Sequence, residues 1–136
     1  MLCYTGRMLA EEVSRRLKAA GVRPSKQRSQ HFLIDDMTLA TIIRQANLSE
    51  DDTVLEVGAG VGTLTEALAK RAGRVVTYEP DEALAAYLRK ELTPRFPHLE
   101  IRDKYINRYE LDVLSLIHIS EPTRPLYISY AVFCLK

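Results

Sequence analysis

The stretch VLEVGAGVGTLT, residues 54–65, constrains the fold of this chain more than any other feature. An apolar run leads into three glycines at every second position, Gly58, Gly60 and Gly62, and a helical pattern follows. Because glycine has no Cβ, a glycine turn after a strand lets the backbone approach a ligand closely. The stretch therefore predicts a strand, a ligand-binding turn and a helix.

The flanking sequence extends this pattern into an α/β fold. We expect a helix over residues 9–20 with its arginines on the outer face, and a second helix capped by Asp36. Strands are expected at residues 53–57, 75–78 and from 99 onward, and helices from residue 64 to near Gly73 and after a cap at Asp81. Right-handed crossovers between such strands make the sheet parallel, so the predicted fold is doubly wound α/β.

Two acidic residues indicate which ligand the glycine turn could bind. The glycine spacing is one residue tighter than that of the dinucleotide fingerprint, and Glu56 precedes it in the strand. A carboxylate there disfavours a diphosphate and suits an ammonium or sulfonium group. Glu79 ends the next strand, where an acid accepts hydrogen bonds from ribose hydroxyls. The pattern favours S-adenosylmethionine; the alternatives are an ordinary turn with Glu79 as a surface acid, and, less favoured by the spacing, an NAD-linked oxidoreductase.

Composition and charge restrict the remaining classes. The chain of 136 residues has a formal net charge of +1, so the whole molecule has no strong field for nucleic acid. Basic residues crowd residues 1–30, which could contact RNA or form a solvated face. Cys3 and Cys134 suggest neither a disulfide framework nor a metal site, which fits a reducing cytosol. No apolar run is long enough to span a bilayer, and no secretory signal is recognised at the start.

Three separated motifs resemble those of the ribosomal RNA adenine dimethyltransferase family. The string SQHFLIDD is followed by a helical pattern, by VLEVGAGVGTLT and by YEPD at residues 78–81. The resemblance covers about residues 24–103, and archaeal members are the most similar in the glycine motif. Ser29 stands where the family usually has Gly. The fold that this implies is a Rossmann-like class I S-adenosylmethionine-dependent methyltransferase, of which the chain would hold the N-terminal half.

The resemblance also implies roles for individual residues. His31 and Leu33 would contact the methionine end of the cofactor, Gly58 and its neighbours would line its methionine and sulfonium portion, and Glu79 would hold the ribose. Asp103 is the candidate acceptor for the adenine amino group, although RDKYIN lacks the family's G-D-[AV]-L context. Cofactor-binding residues are thus predicted to be His31, Leu33, Glu56, Gly58, Gly60, Gly62, Glu79 and Asp103, with no metal ligands.

The reaction implied is dimethylation of N6 on two adjacent adenosines of small-subunit rRNA. The expected partner is that rRNA or a pre-ribosomal subunit, and the protein is expected to be cytoplasmic, free of membrane and monomeric at full length. The family's catalytic N-[IL]-P-[YF] motif does not occur in these residues, so no catalytic residue is assigned and the chain by itself is expected to be inactive. Alternatives are a large-subunit rRNA adenine methyltransferase and a non-catalytic RNA-binding assembly factor.

The C-terminal sequence departs from this family. Residues 114–136 resemble the translation of a sequencing-library adapter, with LSLIHISEPTR before and ISYAVFCL after a three-residue index. We therefore predict three parts: a basic helix and loop at residues 1–30, a partial cofactor-binding domain at 31–113 and a non-native tail at 114–136. An apolar, β-prone tail beside an open sheet edge favours aggregation on expression.

Overall fold

A four-stranded sheet with helices packed on it forms the described part of the chain. The computed structural model describes residues 6–23, 35–107, 109–110 and 131–135. The elements are α1 (Gly6–Ala20), α2 (Asp36–Ala46), β1 (Thr53–Val57), α3 (Thr63–Ala69), β2 (Arg74–Tyr78), α4 (Glu82–Glu91), β3 (Leu99–Arg102) and β4 (Ala131–Leu135). Strand order is β3-β2-β1-β4.

The parallel strands β1, β2 and β3 confirm the predicted α/β pattern. β1 pairs in parallel with β2, and β2 pairs in parallel with β3, so their carboxyl ends lie along one edge of the sheet. β1 places Val54 and Glu56 on one face and Leu55 on the other, because side chains alternate along a strand. The turn after β1 is therefore beside the end of β2 and on the same edge of the sheet as the end of β3.

One apolar cluster holds the helices against the sheet. Leu68 of α3 and Leu88 of α4 are fully buried, and they share this cluster with Val54 and Val75 of the sheet. Ile43 of α2 joins it at its margin. Buried leucine and valine side chains contribute about 1.5–3 kcal/mol each relative to exposure, so this face supplies much of the stability of the described fold.

Helix boundaries follow local capping, with two small corrections. Asp81 caps α4 as predicted, because its carboxylate accepts hydrogen bonds from the backbone of Ala83 and Leu84. The cap of α2 is Asp35 and not Asp36, since Asp35 accepts from the Thr38 amide at 2.8 Å. α3 ends at Ala69, before the predicted stop near Gly73, because the backbone turns at Lys70.

α1 corrects the expectation that its arginines face outward. Arg15 is exposed, but Arg16 is only 12% exposed and is paired with acidic side chains. Arg16 lies three residues after the buried Val13, so it flanks the apolar stripe of the helix.

β4 was not expected from the sequence. Ala131–Leu135 pairs antiparallel with β1, so β1 is not an edge strand within the described residues. The sequence AVFCL contains one β-branched residue, Val132, and one aromatic residue, Phe133, which both favour strands. The division of the chain at residues 30 and 113 stays a prediction.

Candidate functional site

The glycine turn joins the end of β1 to the start of α3. Gly58, Gly60 and Gly62 have φ values of 84°, 58° and 79°. This is the left-handed region, where residues with a side chain are strained and glycine is not. The Gly58 amide donates to the carbonyl of Tyr78 at 2.8 Å, which places the turn beside the end of β2. Gly62 is the N-cap of α3 and provides no side-chain hydrogen bond. Gly58 and Gly60 are half-buried, whereas Gly62 is buried against the side chains of Leu88 and Leu92. A ligand could therefore approach the backbone of the turn at Gly58 and Gly60.

Glu79 lies against this turn. Its Oε2 accepts a hydrogen bond from the Gly60 amide at 2.7 Å, and its Oε1 accepts one from the Asp81 amide at 2.9 Å. The residue is buried, and burial raises the pKa of Glu79 although the two backbone hydrogen bonds lower it. The structure therefore brings together two of the predicted site residues that are 19 positions apart in the sequence.

Glu56 lies beneath the turn and is fully buried. Its Oε2 accepts hydrogen bonds from the hydroxyls of Thr65 in α3 at 2.6 Å and Thr77 in β2 at 2.8 Å. Its Oε1 is buried without a hydrogen-bond partner in the described part of the chain. Burial raises the pKa of Glu56 to about 7, and the charge of Glu79 raises it as well. The carboxylate thus has one unused oxygen in a region of low solvent access.

Asp103 lies at the carboxyl end of β3, two strands from the glycine turn. Its carboxylate pairs with Arg89 of α4 at 3.1 Å, and its side chain is 54% exposed. The hydrogen bond from Arg89 holds the pKa of Asp103 below its usual value. The amide of Glu79 donates to the Arg102 carbonyl at 2.9 Å, so the acids that follow β2 and β3 lie on the same edge of the sheet.

Two predicted residues, His31 and Leu33, lie outside the described residues. Their contacts with the cofactor stay predictions.

Three residues of this region were missed from the sequence. Thr65 and Thr77 hold Glu56, and Arg16 of α1 donates to the carbonyl of Val61 within the turn at 3.3 Å. The threonines alternate with apolar residues as ordinary strand and helix positions do, so no local signal marks them. Arg16 could have been found from its position beside the apolar stripe of α1.

The electrostatics of the site suit a cationic ligand. The charge of Glu79 raises the pKa of Glu56, the charge of Asp81 raises the pKa of Glu79, and neither glutamate has a basic partner among the hydrogen bonds of the described residues. A positive group near the turn would relieve this repulsion, whereas a diphosphate would increase it. Within the described ranges, no group of His, Cys, Asp and Glu side chains could hold a metal ion, and no helix could cross a membrane.

A family model and a curated relative place the chain among the same kind of protein. A family model described as ribosomal RNA adenine dimethylase matches residues 22–120. The chain is 48% identical over 86 residues to the ribosomal RNA small subunit methyltransferase A of Thermotoga neapolitana. That alignment covers 63% of this chain and 33% of the relative, so the chain spans about a third of the length of this curated relative.

Solved structures of rRNA-modifying proteins share the fold. The 23S rRNA methyltransferase ErmE is 42% identical, with a TM-score of 0.50, over 54% of this chain and 30% of its own. A dimethyladenosine transferase from Plasmodium falciparum is 32% identical, with a TM-score of 0.51, over 54% of this chain and 27% of its own. The mixed α/β architecture is therefore that of rRNA methyltransferases.

Proposed function

The chain belongs to the ribosomal RNA adenine dimethylase family, and from that membership we propose that its glycine turn binds S-adenosylmethionine for methyl transfer to rRNA. The proposed substrate is N6 of two adjacent adenosines in small-subunit rRNA, modified in the cytoplasm. Residues beyond those of this chain would supply the catalytic motif, because N-[IL]-P-[YF] does not occur in its 136 residues.

The observation that carries this proposal is the contact between Glu79 and the Gly60 amide. It sets a buried carboxylate at the glycine turn, on the edge of the sheet where ligands bind in open α/β folds. Each carboxylate oxygen has two lone pairs, and each oxygen of Glu79 accepts one hydrogen bond from the backbone. Glu79 therefore keeps acceptor capacity for the hydroxyls of a ribose.

The other residues fit the remaining parts of the cofactor. Glu56, with its unused Oε1, would favour the positive charge at the methionine end, and Gly58 and Gly60 would admit the chain of that ligand. Asp103 would accept a hydrogen bond from the adenine amino group, with Arg89 orienting its carboxylate. His31 and Leu33 would complete the methionine end.

S-adenosylmethionine supplies an electrophilic methyl group on a sulfonium. The adenine amine is a poor nucleophile because its lone pair is delocalised into the ring, so alignment of the two reactants is the main task of the protein. The target base must also leave its stack to reach such a site. This chain's contribution is to bind and orient the methyl donor.

A test of the ribose contact compares matched ligands on two proteins. S-adenosylhomocysteine and its 2′-deoxyadenosyl and 3′-deoxyadenosyl analogues are titrated calorimetrically against the chain and its Glu79→Gln variant. If Glu79 accepts from a ribose hydroxyl, loss of that hydroxyl weakens binding to the parent by about 1.5–3 kcal/mol and weakens binding to the variant much less. Glu82→Gln, which removes an exposed acid from the first turn of α4, is the matched control.

Equal losses for the parent and for Glu79→Gln would remove the ribose role. A uniform loss across all three ligands in the variant would mean that Glu79 acts only by holding the turn. Failure of the parent chain to bind any of the ligands would contradict the proposed cofactor.

A second candidate is methylation of large-subunit rRNA, favoured by the 42% identity to ErmE. Methyl transfer by a full-length homologue carrying these residues to separate small-subunit and large-subunit transcripts distinguishes the two. Transfer to neither would favour a non-catalytic assembly factor.

A further inference from the structure

α1 packs directly over the glycine turn. Its residues Leu9, Val13 and Leu17 form a buried cluster with Val61 of the turn and Leu84 of α4. Val61 is 2% exposed, so the side chain between Gly60 and Gly62 is enclosed by a helix that begins over fifty residues earlier. Apolar packing of α1 therefore holds the turn at Val61, which glycines without side chains could not do.

Arg16 adds polar contacts at the same place. Its Nη1 donates to the Val61 carbonyl at 3.3 Å, and its Nη2 donates to Glu66 Oε2 at 2.5 Å. Its Nε donates to Glu12 within α1 at 2.7 Å. One planar guanidinium therefore bonds the backbone of the turn, the first turn of α3 and its own helix.

Glu66 is the anchor of this arrangement in α3. Arg95, which follows α4, donates to Glu66 Oε1 at 2.6 Å, and Lys70 lies 3.1 Å from the same oxygen. Burial by itself raises the pKa of Glu66, but hydrogen bonds from Arg16, Arg95 and Lys70 lower it to about 2. Glu66 is thus ionised at neutral pH, and it fixes where the Arg16 guanidinium lies.

The glycine turn requires contacts from other elements to hold its conformation. Three glycines at positive φ lose much backbone freedom on ordering, and Gly62 caps α3 without a side-chain hydrogen bond. Glu79 holds Gly60 from the side of β2, and Arg16 holds the next residue from the side of α1. These two contacts restrain the turn from two different elements.

We propose that Arg16 is a positioning residue, which holds the glycine turn in its cofactor-binding shape by joining the Val61 carbonyl and Glu66 to α1. The proposal rests on the proposed function for the identity of the ligand. It makes α1 part of the cofactor site although α1 lies outside the glycine motif. A restrained turn binds its ligand more tightly because less ordering remains for the binding step.

The first measurement needs no ligand. Amide hydrogen exchange of Gly60 and Gly62 is followed by NMR in the 136-residue chain, in Arg16→Met and in Arg15→Met. Both amides donate hydrogen bonds, to Glu79 and Ala59, so their exchange reports opening of the turn. We expect exchange about tenfold faster in Arg16→Met, the size expected for loss of a charge-assisted hydrogen bond.

Arg15→Met is the matched control. It removes the same charge from the same helix, and Arg15 also pairs with Glu12, but its side chain is 75% exposed and makes no contact with the turn among the described hydrogen bonds. Its exchange rates should equal those of the parent. Unchanged turn exchange in Arg16→Met, or equal acceleration of the turn and of the Leu88 amide in the α4 core, would overturn the positioning role.

Arg16→Lys tests the role if Arg16→Met does not fold. An ammonium keeps the charge beside Glu66, but it lacks the planar fork that reaches two acceptors at once. We expect turn exchange between that of the parent and that of Arg16→Met, with core exchange unchanged. Turn exchange equal to the parent would show that charge alone suffices and would overturn the proposed contact with Val61.

Cofactor affinity is measured second. S-adenosylhomocysteine should bind about tenfold more weakly to Arg16→Met than to Arg15→Met. If the parent does not bind it, the proposed function fails while the exchange rates still decide the role of Arg16. If the parent binds and both variants bind equally, the coupling of α1 to the cofactor site is refuted.

Discussion

Replacing Glu56 with glutamine is expected to change how the stability of the fold depends on pH. Glu56 is completely buried, and its hydrogen bonds come from two neutral hydroxyls, those of Thr65 and Thr77. No basic side chain is among its hydrogen-bond partners in the described residues, so the ionised form is poorly compensated. The glutamine side chain has nearly the same shape and cannot ionise.

The size of this pH-dependent change in the free energy of unfolding follows from the raised pKa of Glu56. The ordinary pKa is 4.5 and that in the fold is about 7, so the folded state holds a proton that the unfolded chain releases between these values. Stability from this group is fully present below pH 4.5 and is lost as the pH rises to 7. The difference of about 2.5 pH units corresponds to about 3 kcal/mol.

Urea unfolding at pH 4.5, 6 and 8 measures this effect as a difference between the parent and Glu56→Gln. The parent should lose about 3 kcal/mol relative to the variant between the lowest and highest pH. The pKa of Glu79 is also raised, but Glu79 is present in both proteins, so its contribution to the difference is small. Glu82→Gln, at an exposed position, is the control for the loss of one carboxylate.

A constant difference across this pH range would refute the reasoning. It would mean that Glu56 has the same pKa in the folded and the unfolded chain, either because water reaches its carboxylate or because another group compensates its charge. A carboxyl carbon resonance of Glu56 that titrates near pH 4.5 would contradict the raised pKa directly.

Three further substitutions test the packing of the turn and its ion pairs. Gly62→Ala should destabilise the fold by about 3 kcal/mol or more, because a Cβ there would lie 2.4 Å from Leu88 Cδ2 and 2.8 Å from Leu92 Cδ1 at a φ of 79°. Gly21→Ala, at a φ of 68° with nothing within 4 Å, should cost only about 1 kcal/mol in the same urea titration, and equal costs would contradict the steric argument. Glu66→Gln should destabilise at pH 7 by about 1–2 kcal/mol, a value discounted for solvent screening. Because the pKa of Glu66 is lowered to about 2, that difference should shrink as the pH falls from 4.5 to 2, and a difference that grows would refute it.

Local sequence patterns determined the elements from α1 to β3, but not β4. β1 spans residues 53–57 as expected, Asp81 caps α4, and the apolar face of α4 is buried at Leu84 and Leu88. These features depend on hydrophobic periodicity and on a cap within three residues of the amides it binds, so the chain encodes them locally. The parallel order of β1, β2 and β3 followed from the same pattern through the handedness of crossovers.

The tertiary structure alone decided what surrounds each acid. Glu56 was expected to face a ligand directly, yet its carboxylate contacts Thr65 and Thr77, which come from two other elements. Arg16 was expected in solvent and instead contacts the glycine turn 45 residues away in sequence. Burial and charge compensation depend on which segments meet after folding, and a local pattern carries no information about partners that far along the chain.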